Sequence, residues 1–154
     1  LNRDVEVALL VLQGFCVAHL MLHDWVPLGR MNNLAAVRAV DSPAKRVLVT
    51  VLSGLPFVLV FAFCCEYASA RVWPGWVVSW LWWAYGLLFV GELAAWWVPY
   101  FGRAQPERVA RYQVMFGGTH AFLPERNGIT PNTLHVVLHL ATLGILVLLP
   151  FLRA

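Results

Sequence analysis

Charge is scarce in this chain: 12% of its 154 residues are Asp, Glu, Lys or Arg, against about 25% in a soluble domain. That excludes an ordinary soluble globular domain. The basic residues form no run interleaved with aromatics, so the net charge of +3 is no nucleic-acid footprint, and no nucleic-acid partner is expected. Cysteine is sparse and odd in number, and Cys16, Cys64 and Cys65 contain no CxxC pair, which excludes a disulfide framework and a thioredoxin-like centre. Cys64 and Cys65 would point about 100° apart on a helix, so the thiols read as apolar packing. There are no internal repeats and no low-complexity tracts. The start of the chain has no strongly basic segment ahead of a small-residue cleavage site, so no cleavable signal peptide is expected.

Hydrophobic residues, by contrast, make up 60% of the sequence, and eight of the residues are Trp. A membrane span needs about 20 mostly apolar residues, and four stretches meet that. They predict an all-α integral membrane protein, a four-transmembrane-helix bundle forming a single transmembrane domain over residues 1–154. The spans run over about 5–26, 46–70, 74–100 and 131–152. Gly54 and Pro56 predict a kink in the second span. Thr130-Pro131 reads as the cap and first helical position of the fourth.

Orientation follows from the basic residues. Arg30, Arg38, Lys45 and Arg46 lie between spans one and two, and Arg103, Arg108, Arg111 and Arg126 between spans three and four. Only Arg3, Arg71 and Arg153 fall on the other side. The positive-inside rule then puts both long loops in the cytoplasm and both termini on the outer side, in the cytoplasmic membrane of a bacterium. Trp73 and Trp76 are expected at the outer interface, and Trp96, Trp97 and Tyr100 at the inner one. Trp80, Trp82 and Trp83 lie deeper, as lipid or helix packing. Residues 106–116 place Val109, Tyr112 and Phe116 on one face, predicting a short amphipathic interfacial helix. The apolar loop 117–124, which carries His120, follows as a cover over the bundle.

Against this background the histidines stand out. His19 and His23 lie one turn apart near the end of span one, and His135 and His139 one turn apart near the start of span four. Such i, i+4 pairs share a helix face. Counting about 1.5 Å of rise per residue brings His19, His139 and Glu92 to one depth, with His23 and His135 one turn below. Asp24 sits at the mouth. Ionisable groups inside a membrane are costly and mark functional sites by default. Imidazole with carboxylate suits a transition metal ion, zinc or iron foremost, with His19, His23, His135, His139 and Glu92 as ligands. Glu92, His120 and Asp24 are the candidate catalytic groups, as base, proton donor and mouth carboxylate. A metal-free proton relay or polar pocket is the alternative for the same residues. Gln13 reads as a helix bridge, Glu66 as a partner of Arg71, and Asn132 as a group that could orient His135.

Histidines clustered at one end of membrane helices resemble those of membrane-bound fatty-acid desaturases and hydroxylases, whose two further HxxHH-type boxes are absent here. Four spans with histidines also resemble small di-haem membrane cytochromes, which place ligands near both faces rather than one. The functional expectation is a membrane-embedded metal-dependent enzyme, an oxidoreductase or hydrolase. It would act on a lipid or other hydrophobic small-molecule substrate at the cytoplasmic leaflet, among membrane lipids. The alternatives are a small metal-ion or proton-coupled transporter, which would need a homodimer, and a haem-binding electron carrier.

Overall fold

The computed structural model of the chain describes residues 3–68, 70 and 72–152. Its described residues are helical apart from turns and one isolated antiparallel bridge. Four segments are long and apolar enough to cross a membrane: α1 (Arg3–Leu22), α3 (Pro43–Glu66), the composite span Gly75–Phe101 and the closing span Thr133–Phe151. The third consists of α4 (Gly75–Glu92), a π-helical turn over Leu93–Trp97 and α5 (Val98–Phe101). The fourth consists of α7 (Thr133–Leu148) and a 3₁₀ turn over Leu149–Phe151. Two shorter helices, α2 (Leu34–Val40) and α6 (Pro106–Phe116), lie in the connections.

The helices close a ring in which α1 packs on α3 and α7, and α4 packs on α3 and α7. Direction is fixed by two contacts. Trp73, just before α4, reaches Glu6 at the start of α1, whereas His135 at the start of α7 meets His19 near the end of α1. Neighbours therefore run antiparallel. The core holds Leu9, Cys16, Phe57, Val60, Leu81, Tyr85 and Ile145. Outside it, Leu52, Trp83, Leu87 and Leu140 are exposed, the apolar-out arrangement of helices that face lipid. Trp76, Trp80 and Trp82 are exposed with them.

Local chemistry sets the ends. Ser42 accepts from the Lys45 amide ahead of Pro43, and Asn33 accepts from the Ala36 amide, both ordinary N-caps. The fourth span opens two residues later than Thr130-Pro131 suggests: Asn132 is the cap, its side chain accepting from the His135 amide, and Asn is the stronger capping residue. The first span stops at Leu22, not near 26, because Asn32 folds back and donates to the carbonyls of His23 and Val26. At Gly54 an added Cβ would run into the Met21 side chain, so this glycine permits the close approach of α1 and α3. Pro56 is accommodated within one continuous α3.

The π-turn shapes the histidine end of the bundle. The Val98 amide bonds to the Leu93 carbonyl instead of that of Ala94, and Pro99 has no N–H to offer Ala95. Both freed carbonyls are taken up from α6: Arg108 donates to Ala94 at 3.0 Å and Tyr112 to Ala95 at 3.1 Å. The apolar face expected on 106–116 is present, and it is turned onto protein, with Val109, Tyr112 and Phe116 packed on Trp96, Tyr100 and Ile129. Arg111 and Lys45 both pair with Asp41, tying α6 to the α2–α3 junction. Burial pushes the Asp41 carboxyl up, and the hydrogen bonds and charges of Arg111 and Lys45 more than offset this, holding it below the ordinary carboxylate range.

Three aromatic expectations are corrected. Tyr100 is buried, its hydroxyl donating to the Pro124 carbonyl. Trp73 is fully buried rather than interfacial, donating at 2.8 Å to the buried Glu6 carboxylate. Trp96 is buried against the histidines instead of belting the bundle. Glu66 is exposed, and Arg71 and Arg153 lie outside the described residues.

Candidate metal centre

His19, His23 and His135 converge where the end of α1 meets the start of α7. One ring nitrogen from each lies within 4.8 Å of the others. The His19 and His23 rings stack at 4.7 Å between centroids, and His135 meets them edge-on at 5.8 and 5.9 Å. Behind His135 stand Trp96 at 4.5 Å and Phe116 at 5.1 Å, which fix its plane and keep that side apolar.

The tautomers can be read from the partners. Asn132 Oδ1 lies 2.6 Å from His135 Nδ1. An amide oxygen only accepts, so Nδ1 carries the proton and Nε2 keeps its lone pair. The same holds for His23, whose Nδ1 lies 2.8 Å from the His19 carbonyl oxygen. Metal-bound histidines typically donate their second nitrogen to a carbonyl or carboxylate in this way. His19 is buried, and among the described residues neither of its ring nitrogens has a protein partner. Buried polar atoms in that condition are uncommon and ask for an unseen partner.

Asp24 Oδ1 faces His23 Nε2 at 3.3 Å. A lone pair and a carboxylate oxygen repel unless a proton or a cation lies between them. The Asp24 carboxylate does not join the three ring nitrogens that lie within 4.8 Å of one another. Beyond Asp24, Trp25 donates to Thr50 on α3 at 2.9 Å, and the Arg46 guanidinium lies 4.7 Å over the Trp25 ring. Together they close the end of the bundle.

The remaining sequence candidates are held apart from the triad. Trp97 Nε1 donates to His139 Nδ1 at 3.0 Å. Neutral His139 therefore carries its proton on Nε2 and offers no free lone pair while that bond stands. Glu92 is buried, accepts from Thr142 at 2.9 Å through one oxygen, and leaves the other without a partner. Its partner is one turn deeper on α7 than His139, so Glu92 sits deeper than residue counting suggests. His120 is exposed and bonds through Nδ1 to Thr133 Oγ1 at 2.7 Å. Its backbone also joins the loop to both sides, bonding to the Arg30 carbonyl and the Thr133 amide. Gln13 is fully buried with its amide against the Cys64 thiol of α3, the side chain that its reading as a helix bridge requires, while among the described residues the Tyr85 hydroxyl makes no hydrogen bond.

An apolar recess of about 190 Å³ opens beside the triad between α1 and α7, lined by Phe15, Ala18, Leu22 and Leu134 with His19 and His23 on its wall. Three site features were not read from sequence: the backing of His135 by Trp96 and Phe116, the Trp97–His139 bond, and the π-turn. A usable signal for the last was Pro99, placed where an apolar helix nevertheless continues. No protein-family model, curated protein or solved structure matches the chain.

Proposed function

We propose that this chain is a small membrane-embedded metal-dependent enzyme acting on a lipid or other hydrophobic substrate, with His19, His23 and His135 as the ligands. The observation that carries the reading is the triad itself: three imidazole nitrogens within 4.8 Å, two of them with lone pairs aimed by second-nitrogen hydrogen bonds. Histidine nitrogen donors suit zinc or iron. An ion with three protein ligands keeps a position for water or substrate, where it can lower the pKa of bound water to about 7 or polarise an oxygen. Asp24, next to His23, is placed to accept a proton or to complete the ligand set. The recess on the lipid side of His19 and His23 supplies an apolar approach that an enzyme for polar solutes would not need. The His/Glu cluster of the sequence reading is thereby narrowed. His139 and Glu92 become groups around the centre that hold Trp97 and Thr142.

Transport by the same cluster draws on the buried Gln13 and Tyr85 deeper in the bundle. Against it, Leu9, Val77, Ile145 and Leu149 fill the half beyond Gln13 and are fully buried, and among the described residues the buried carboxylate there, Glu6, is closed off by Trp73. Enzyme function is therefore the reading retained.

The test is elemental analysis with an absorption spectrum on protein purified without chelator, beside a His19→Ala/His135→Ala variant. The expected result is about one zinc or iron per chain in the wild type, lost in the variant, and no Soret band. Wild-type protein that holds no metal after reconstitution overturns the proposal, and a Soret band replaces it with haem binding.

A further inference from the structure

On the opposite side of α7 from the recess lies a larger groove, between that helix and the π-turn of the third span. Its volume is about 550 Å³, within the range of ligand pockets. Trp97 and Phe101 form one wall and Val136, Leu140 and Leu143 the other, with His139 and the Trp97 indole N–H bonded to it as polar groups. The groove follows from the backbone. A π-turn inserts an extra residue into a helical turn, and Leu93 and Trp97, which bound that turn, are both groove residues.

One end of this groove is strongly basic. Asn127 and Gly128 both take positive φ, at 52° and 77°, forming a tight hairpin turn that sends Ile129 inward and Arg126 outward. The Arg126 guanidinium then lies 5.5 Å over the ring of Phe101, a groove residue, and 5.7 Å over that of Tyr100. It is exposed, and among the described residues no carboxylate pairs with it. A second recess, of about 240 Å³, adjoins across Val98 and is lined by Arg103, Gln105 and Arg108. Arg126 thus stands at the Phe101 end of the apolar groove, while Arg103 and Arg108 line the recess next to it, Arg108 with one nitrogen on the Ala94 carbonyl. Glu107 and Glu125 are nearby in sequence, exposed, and unpaired with these arginines.

We propose that this groove binds an anionic phospholipid, with one acyl chain lying between α7 and the π-turn and the phosphate held at Arg126. Basic pockets between membrane helices recognise anionic headgroups in this manner. The apolar walls alone would take any lipid chain, and the arginines supply the preference for negative charge. The site is separate from the histidine triad. The ring centroids of His135 and His139 are 6.4 Å apart, so an occupant touching His139 would lie beside the centre without entering it.

The experiment is photo-crosslinking in phosphatidylcholine vesicles doped with a photoactivatable phosphatidylglycerol, compared with a photoactivatable phosphatidylcholine carrying the same chain. Peptides would be mapped for wild type, Arg126→Gln and Leu140→Trp, with circular dichroism checking each fold. The expected result is labelling concentrated on 93–101 and 136–143, several-fold stronger for the anionic probe. Arg126→Gln should bring the anionic probe down to the level of the zwitterionic one, and Leu140→Trp, which fills the groove, should remove both. The wild-type ratio decides even if a variant fails to fold: equal labelling by the two probes, or labelling spread evenly over all outward helix faces, overturns the proposal. Labelling that persists in metal-free His19→Ala protein separates this site from the fate of the metal centre.

Discussion

Asn132 shows how one side chain can serve both a helix and a site. Its carboxamide oxygen accepts from the His135 amide at 3.0 Å, capping α7, and lies 2.6 Å from the His135 ring nitrogen, fixing the tautomer. The two roles can be separated. Asn132→Ser keeps a capping oxygen but is too short to hold the ring, and Asn132→Asp keeps both contacts. Loss of a second-nitrogen partner typically lowers metal affinity about 10–100-fold. Asn132→Ser should therefore weaken metal binding by that order in a competition titration with a chromophoric chelator, while Asn132→Asp stays near wild type. Equal affinity in all three proteins would mean that the ring needs no support from Asn132. At this scale the sequence was partly legible. The i, i+4 spacing identified the histidine pairs, and Asn132 was placed one turn before His135. The division of the pairs was not legible, because it depends on Trp97, whose indole reaches His139 across a helix interface that spacing within one helix cannot reveal.

Among the elements, α6 has the most to explain. Its sequence pattern marked an apolar face correctly, and lipid was the expected cover. Instead the face covers Trp96, Tyr100 and Ile129, because the π-turn leaves two carbonyls that need donors and α6 carries Arg108 and Tyr112 at the right spacing. Helix identity was readable from apolar periodicity and proline positions. The π-turn has only Pro99 as its mark in the sequence, since its form follows from packing around that residue rather than from a pattern. The other tether of α6 is the Arg111–Asp41–Lys45 cluster, with side-chain contacts of 2.7 and 2.6 Å. Because Arg111 and Lys45 are well exposed, solvent limits its net value to about 1 kcal/mol or less. The depressed Asp41 carboxyl contributes stability above its unfolded pKa of about 3.9. That contribution is lost as pH falls through the lower folded value. Asp41→Asn should thus lower the melting temperature modestly at pH 6, and the gap from wild type should close as pH falls below the ordinary carboxylate value of about 3.9 and through the lower folded one. A gap that widens on acidification would rule out this tether as the cause.

Seen whole, the described residues gather the histidines at one end of the bundle and pack apolar side chains at the other. Leu9, Trp73, Val77, Ile145 and Leu149 close the end where α1 begins, while the histidines, Asp24 and the loop arginines gather at the opposite end. Four apolar segments were evident from hydropathy alone, and their ring order explains why only α1 and α7 supply the triad: they are neighbours there and run antiparallel. Span three adds aromatic backing rather than ligands, and α3 adds Thr50 and Arg46 to the cover over Asp24.

X-ray absorption at the edge of the bound metal, in purified wild-type protein, tests the central claim most directly. The account predicts a first shell dominated by imidazole nitrogen at about 2.0–2.1 Å, with ring-scattering features equivalent to three histidines that drop to two in His135→Ala. A shell of sulfur at about 2.3 Å, or one containing only oxygen and unchanged by His135→Ala, would contradict it.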